Sequence, residues 1–179
     1  LENPSRIKMI AEDITKHFKD NVDGKFKAMV VAGSRTACAI YKEELDKHLP
    51  KQYSEVVMTY YDRESDKRKT ITLREARGRY GELEPEDLRK KIRESFIEEE
   101  FPKILIVTDM LLTGFDAPIL QVMYLDKLLK EHRLLQAIAR TNRPFNDLKE
   151  AGLVIDYVGI LKEFKKAFEN YKSLQKNYP

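Results

Sequence analysis

The strongest constraint on this chain is a set of short apolar runs that do not alternate with polar residues. They are Ala28–Ala32, Val56–Tyr60, Lys103–Thr108, Gln121–Leu125 and Leu153–Tyr157, each five or six residues long. Between them lie segments whose apolar residues recur three and four positions apart, the spacing of a helix face. A strand that is apolar on both sides must be covered on both sides. A helix between successive strands is the connection that makes neighbouring strands parallel. The expected fold class is therefore α/β, a doubly wound, mostly parallel sheet with helices on both faces.

The helical segments support this pattern. Ile7, Ile10, Ala11, Ile14 and Phe18 predict a first helix over 4–22. Gly33-Ser34 reads as a turn, with Ser34 a natural helix cap, and a helix follows over Thr36–Leu49. Further helices are expected over Pro85–Glu100, His132–Thr141 and Ile160–Leu174, the last amphipathic. The stretch 62–87 breaks the regularity, with fifteen charged residues among its twenty-six. Its basic side chains, among them Lys67, Arg68, Lys69, Arg74, Arg77 and Arg79, serve either as phosphate contacts or as part of a solvated insertion loop. In open parallel sheets, ligands bind at the carboxyl ends of the strands, which directs attention to the loops after Ala32, Thr108, Leu125 and Tyr157.

Composition limits the function classes. At 179 residues with 42% hydrophobic side chains, the chain suits one domain over 1–179 with a proper core. Its 33 Lys and Arg stand against 30 Asp and Glu, a net charge of +3, so any attraction to nucleic acid must be local. Cys38 is the single cysteine, which excludes an intrachain disulfide and a cysteine-cluster metal site and fits a reducing, cytoplasmic setting. No apolar run nears the roughly 20 residues of a membrane span. His17, His48 and His132 stand alone, without ligands at metal spacing, and read as structural. The chain begins at Leu1 rather than Met and ends just after an amphipathic pattern. It is expected to be a fragment of a longer chain, with 159–179 a helix leading toward a following domain.

The chemistry concentrates between Ile104 and Phe145, in ILIVTDMLLTGFDAP and LLQAIARTNRPF. Gly114-Phe115-Asp116 permits a tight backbone path beside an outward carboxylate. That carboxylate either accepts hydrogen bonds from a ribose hydroxyl or simply caps the next segment. Gln136, Arg140 and Arg143, spaced by four and three, share a helix face if the helix runs through Asn142, and Pro144 stops it afterwards. Two forked, permanently charged guanidinium groups suit a nucleotide phosphate, or are surface arginines near a helix C-terminus. Tyr60-Tyr61 either covers a strand end or stacks on a base.

In combination these residues resemble a known set. Thr108-Asp109 with Gly114 and Asp116 resembles motif V of superfamily 2 helicases, Gln136-x-x-x-Arg140-x-x-Arg143 resembles motif VI, and Ala28–Ala32 with Gly33-Ser34-Arg35 resembles motif IV. All three belong to the second RecA-like domain. More narrowly, TGFDAP, YLDKLLKEHRLLQAIARTNRPF and GLVIDYVGI look like the motor and restriction subunit of type I restriction-modification enzymes. Ala139 and Asn142 stand where many helicases have glycine, and Thr113 where they have arginine; the Ala-Arg-Thr-Asn-Arg form is typical of the restriction subunits.

The resemblance implies roles. Arg140 and Arg143 would be arginine fingers reaching ATP and Mg²⁺ across an interdomain cleft, with Gln136 positioned beside them and Gly114 and Asp116 lining the ribose side. Ser34, Arg35 and Thr108 would face the backbone of double-stranded DNA, Ser34 being equally suited to capping. The partners implied are a first RecA-like domain and a nuclease domain of the same chain, and modification and specificity subunits, with no membrane. The chain has no G-x-x-x-x-G-K-[ST] loop and no Asp-Glu box at a strand end, so the fragment should not hydrolyse ATP unaided. The expected function is the C-terminal motor domain of a type I restriction endonuclease. The alternatives are another superfamily 2 DNA helicase or a non-catalytic DNA- or protein-binding module.

Overall fold

The computed structural model describes residues 1–61, 65–112, 114–145, 149, 151–163 and 165–166. Its sheet is built from β1 (Lys27–Ala32), β2 (Ser54–Val57), β3 (Ile104–Val107), β4 (Leu120–Asp126) and β5 (Leu153–Asp156). Every pairing is parallel, in the spatial order β2-β3-β1-β4-β5. The α/β expectation holds, with a fully rather than mostly parallel sheet among the described residues.

Side chains along each strand divide between two cores. Ala28, Val30, Ile104, Ile106, Val122 and Tyr124 pack with α1 (Pro4–Asn21) and α2 (Arg35–Leu45) on one face. Met29, Val31, Leu105, Val107, Met123 and Leu125 pack with α4 (Pro85–Glu98) and α5 (Glu131–Thr141) on the other. Burial on both faces is why the strands read as unbroken apolar runs.

The helices start where their caps place them. The Asn3 side chain accepts from the Arg6 amide at 3.1 Å with Pro4 opening α1, and Ser34 Oγ accepts from the Ala37 amide at 3.0 Å at the head of α2. These bonds satisfy amides that have no partner within their helix.

Three boundaries depart from the sequence expectation. β2 begins at Ser54 and stops at Val57, because its register against β3 pairs Ser54 with Ile104 and Val57 with Val107, and the partner ends there. Glu55, a fully buried carboxylate within β2, concealed the true start from a hydropathy reading. α2 ends at Leu45, with Asp46 as its C-cap. Most of the 62–87 segment is no loop, for Lys67–Tyr80 forms α3, capped by Asp66, which accepts from the Arg68 amide at 2.9 Å. Thr72 and Ala76 are buried, Arg68 pairs with Glu43 at 3.3 Å, and Arg79 turns inward onto Glu55. At the other end of the chain, residues 160–163 and 165–166 are helical, and the rest of the expected closing helix lies outside the described residues.

One polar cluster ties these layers together. Asp126, at the carboxyl end of β4, is fully buried and accepts from both Arg6 Nη atoms at 2.9 and 2.5 Å and from Tyr41 Oη at 2.7 Å. Arg6 also donates to the Tyr157 carbonyl at 3.3 Å. The bond to Asp126 raises the Arg6 pKa above its ordinary value, and burial, then Asp126, raises that of Tyr41, so both remain donors. Removing one partner of such a group leaves a buried charge uncompensated. Arg6→Met should lower the unfolding free energy by about 3 kcal/mol in chemical denaturation, with Arg6→Lys falling between it and the wild type.

A buried cation lies at the opposite edge of the sheet. Lys27 Nζ donates to the carbonyls of Phe96 and Glu99 at 2.8 and 2.5 Å, serving the otherwise orphaned C-terminus of α4. Burial, assisted by Lys103, brings its pKa from 10.5 down to about 8. The unfolded chain therefore holds more protons than the folded one between these values, and this group makes stability rise with pH above about 8. Tyrosines raised by burial, including Tyr41 and Tyr124, act in the opposite sense above their ordinary value of 10. Urea midpoints should climb from about pH 8 to about pH 9, above which the buried Cys38 thiol, raised from 9.0 to about 12, opposes the rise, and Lys27→Met should flatten that climb.

Candidate functional site

The parallel topology decides where the motif residues fall. The loop between β3 and β4 leaves the carboxyl edge after Val107 and must return to the amino edge to enter Leu120. α5 makes the same descent between β4 and β5. Thr108 and Asp109 therefore sit high on the sheet, while Gly114–Ala117 and the end of α5 sit low, on the flank that carries α4.

On that flank Leu134, Ala137 and Thr141 form the buried face of α5. Phe115 is buried against Phe96 at a ring-centroid distance of 6.1 Å, which holds the loop to the same core. Gly114 has φ +72°, a left-handed conformation that favours glycine. Gly114, Gln136, Ala139, Arg140 and Arg143 line a cavity of about 340 Å³. Arg140 Nη1 donates to the Phe115 carbonyl at 2.5 Å, and Arg143 Nη1 lies 3.3 Å from Asp116 Oδ2, both partners being half-exposed.

Arg143 reaches this cavity by a different route from the one expected. α5 ends at Thr141, and Asn142 is its C-cap at φ −85°, ψ 4°. A residue before proline is disfavoured in the helical region, so Arg143, followed by Pro144, stands beyond the helix. Gln136 and Arg140 share a face, and Arg143 joins them from the turn. That turn is fixed in place: the Gly152 amide donates to Asn142 Oδ1 at 3.0 Å.

Ser34, Arg35 and Thr108 occupy a separate surface, at the carboxyl ends of β1 and β3. The Ser34 hydroxyl caps α2, as the capping alternative has it. The Arg35 guanidinium lies 4.4 Å from the ring centroid of Tyr61. Tyr61 is 61% exposed, whereas Tyr60 is buried and closes the core. Thus the carboxyl-edge expectation suits these three residues but not the arginines, which lie on the flank and not at the sheet edge.

Sequence reading missed Asp109, Lys127 and Arg133 as a group. Arg133 Nη1 donates to Asp109 Oδ2, and Lys127 Nζ lies 3.5 Å from Asp109 Oδ1. The available signal was Arg133 standing seven residues before Arg140, two helical turns along one face. Among the described residues no group of three or more His, Cys, Asp and Glu is placed to hold a metal ion, and no helix is long and apolar enough to cross a membrane. His17 bonds to Tyr124 Oη at 2.8 Å, a structural contact.

Comparison with known proteins bears on this arrangement. Residues 77–159 match the family model for type I restriction enzyme subunit R domain 3. Over 97% of its length the chain is 46% identical to a Methanocaldococcus jannaschii protein assigned as the MjaVIIP type I restriction enzyme endonuclease subunit, of which it spans 17%. Among solved structures, a fragment assigned as an HsdR subunit of a type I restriction enzyme from Vibrio vulnificus superposes with TM-score 0.63 at 20% identity, covering 90% of this chain and 28% of that one. Domain 2 of the DEAD-box helicase Mss116p, bound to an RNA duplex, superposes with TM-score 0.53 at 22% identity, covering 92% and 56%. The sheet is thus that of a RecA-like helicase domain 2.

The tight join between α5 and β5 yields a test of how the arginines are held. A Cβ added at Gly152 would stand 2.2 Å from the Thr141 carbonyl carbon and oxygen, which cannot be accommodated without moving that backbone. Gly152→Ala should lower the melting temperature by several degrees, whereas Gly114→Ala, with nothing within 4 Å of the added atom, should cost only the strain of its φ, about 1 kcal/mol.

Proposed function

The chain belongs to the type I restriction enzyme R subunits, of which it is a helicase-like region, and on that premise we propose that it is the second motor domain of an ATP-driven double-stranded DNA translocase. The observation that carries the reading is the convergence of Gln136, Arg140 and Arg143 with Gly114 on one open cavity of about 340 Å³. Two guanidinium groups beside an amide and a bare glycine backbone suit the oxygens of a triphosphate. The cavity opens on the flank of the domain, so a nucleotide held by another domain fits against it.

The residues divide the work. Arg140 and Arg143 bind the phosphates and oppose negative charge as it develops during hydrolysis, a contribution of about 10³ to 10⁵ in rate where such arginines have been dissected. Gln136 positions, and Asp116 with Gly114 faces the ribose. Asp116 pairs with Arg143 in this structure, so engagement of either with a nucleotide exchanges that ion pair for contacts to the ligand. In this reading Mg²⁺ would be held together with ATP by the first RecA-like domain, where it would neutralise phosphate charge. Ser34, Arg35 and Thr108 contact the DNA backbone at the carboxyl edge. Further partners under this reading are the nuclease domain of the same chain, and the modification and specificity subunits.

The decisive experiment joins this region to its first RecA-like domain. Arg143→Ala and Arg140→Ala should each reduce DNA-stimulated ATP hydrolysis by about 10³, with DNA binding within a few-fold of wild type. Wild-type hydrolysis in both variants would defeat the finger assignment and leave a non-catalytic binding module as the better description.

A further inference from the structure

We infer that Lys127 and Arg133 form a seat for a nucleic-acid phosphate, filled in this structure by the Asp109 carboxylate. The inference rests on the DNA-motor reading above and extends its contact surface to two residues outside the recognised motifs. Lys127 follows the last residue of β4, and Arg133 lies in the first turns of α5. Both converge on the same side chain, Lys127 Nζ at 3.5 Å from Oδ1 and Arg133 Nη1 donating to Oδ2.

The position of this cluster matters as much as its geometry. β3, β1 and β4 are adjacent in the sheet, so Thr108, Ser34 and Lys127 stand beyond the ends of three neighbouring strands. Asp109 directly follows Thr108. A backbone that touches Ser34-Arg35 and Thr108 therefore runs past Lys127 and Arg133.

The cluster contributes little to the fold itself. The three side chains are 22%, 44% and 33% exposed for Lys127, Arg133 and Asp109, and ion pairs so open to water add little to stability. A phosphate offers a guanidinium the same pair of oxygens as a carboxylate, with comparable charge and geometry. Binding of DNA then exchanges one anion for another on the same two cations, and Asp109 acts as an internal competitor.

The test uses an intact restriction subunit carrying this domain, with short DNA duplexes of unrelated sequence and fluorescence anisotropy read across a salt series. Lys127→Gln with Arg133→Gln should weaken binding roughly tenfold for every duplex, and reduce the slope of log affinity against log salt by about 1. Asp109→Asn should do the opposite and tighten binding, a result that a misfolded variant would not give. If Arg35→Gln weakens binding while the double variant keeps wild-type affinity and slope, the seat is refuted and the DNA reading stands. Weaker binding by Asp109→Asn also refutes the seat. A wild-type subunit that binds no duplex refutes both.

Discussion

A carboxylate buried at the end of a β-strand is the constraint around which the rest of this domain is arranged. Asp126 holds its place because Arg6 and Tyr41 bring donors to it from two different helices. Apolar packing is non-directional and would let α1 and α2 settle over a range of positions, whereas these hydrogen bonds accept only a narrow one. Through Arg6 the cluster reaches the Tyr157 carbonyl, so the ends of β4 and β5 and both helices of one face share a single reference point. Gly33 passes close by: a Cβ there would approach Leu1 to 3.0 Å and the Asp126 carbonyl to 3.6 Å. The turn that presents Ser34 and Arg35 is thereby held at the carboxyl edge.

The separation of the two candidate surfaces follows from connectivity. In a parallel sheet every connection must return from the carboxyl edge to the amino edge, and a residue's height depends on how far along that return it stands. Thr108, at the start of its loop, faces the carboxyl edge; Gly114 and Asp116, six and eight residues later, face the flank beside the end of α5. The rule that ligands gather at the carboxyl ends describes sites that a sheet builds alone. A site that a domain shares with a neighbour can use its side, and here the flank carries the arginines.

Much of the fold was legible because burial on both faces leaves an uninterrupted apolar signature, and β1, β3, β4 and β5 fall within a residue or two of their expected limits. The losses came where charge is hidden. Glu55 lies inside β2 paired to Arg79 of α3, and neither strand start nor helix could be read from residues whose charges cancel only in three dimensions. In the candidate site, the grouping of Gln136 with Arg140 follows from helical spacing, and that of Gly114 with them only from the motif resemblance. The placement of Arg143 needed the consequence of Pro144 for the residue before it, and the Asp109 cluster unites the residue after β4, one in α5 and one in a loop, of which helical spacing relates only Arg133 to Arg140.

Two rungs join α5 to residues before and after the turn at Gly114, Arg133 to Asp109 and Arg140 to the Phe115 carbonyl. The rungs stand seven residues apart on the helix, or about 10.5 Å along its axis. Sliding the helix by a single turn, about 5.4 Å, would leave both rungs facing the wrong partners at once. The register of α5 against this loop is therefore marked at two heights, by one partly exposed ion pair and one hydrogen bond.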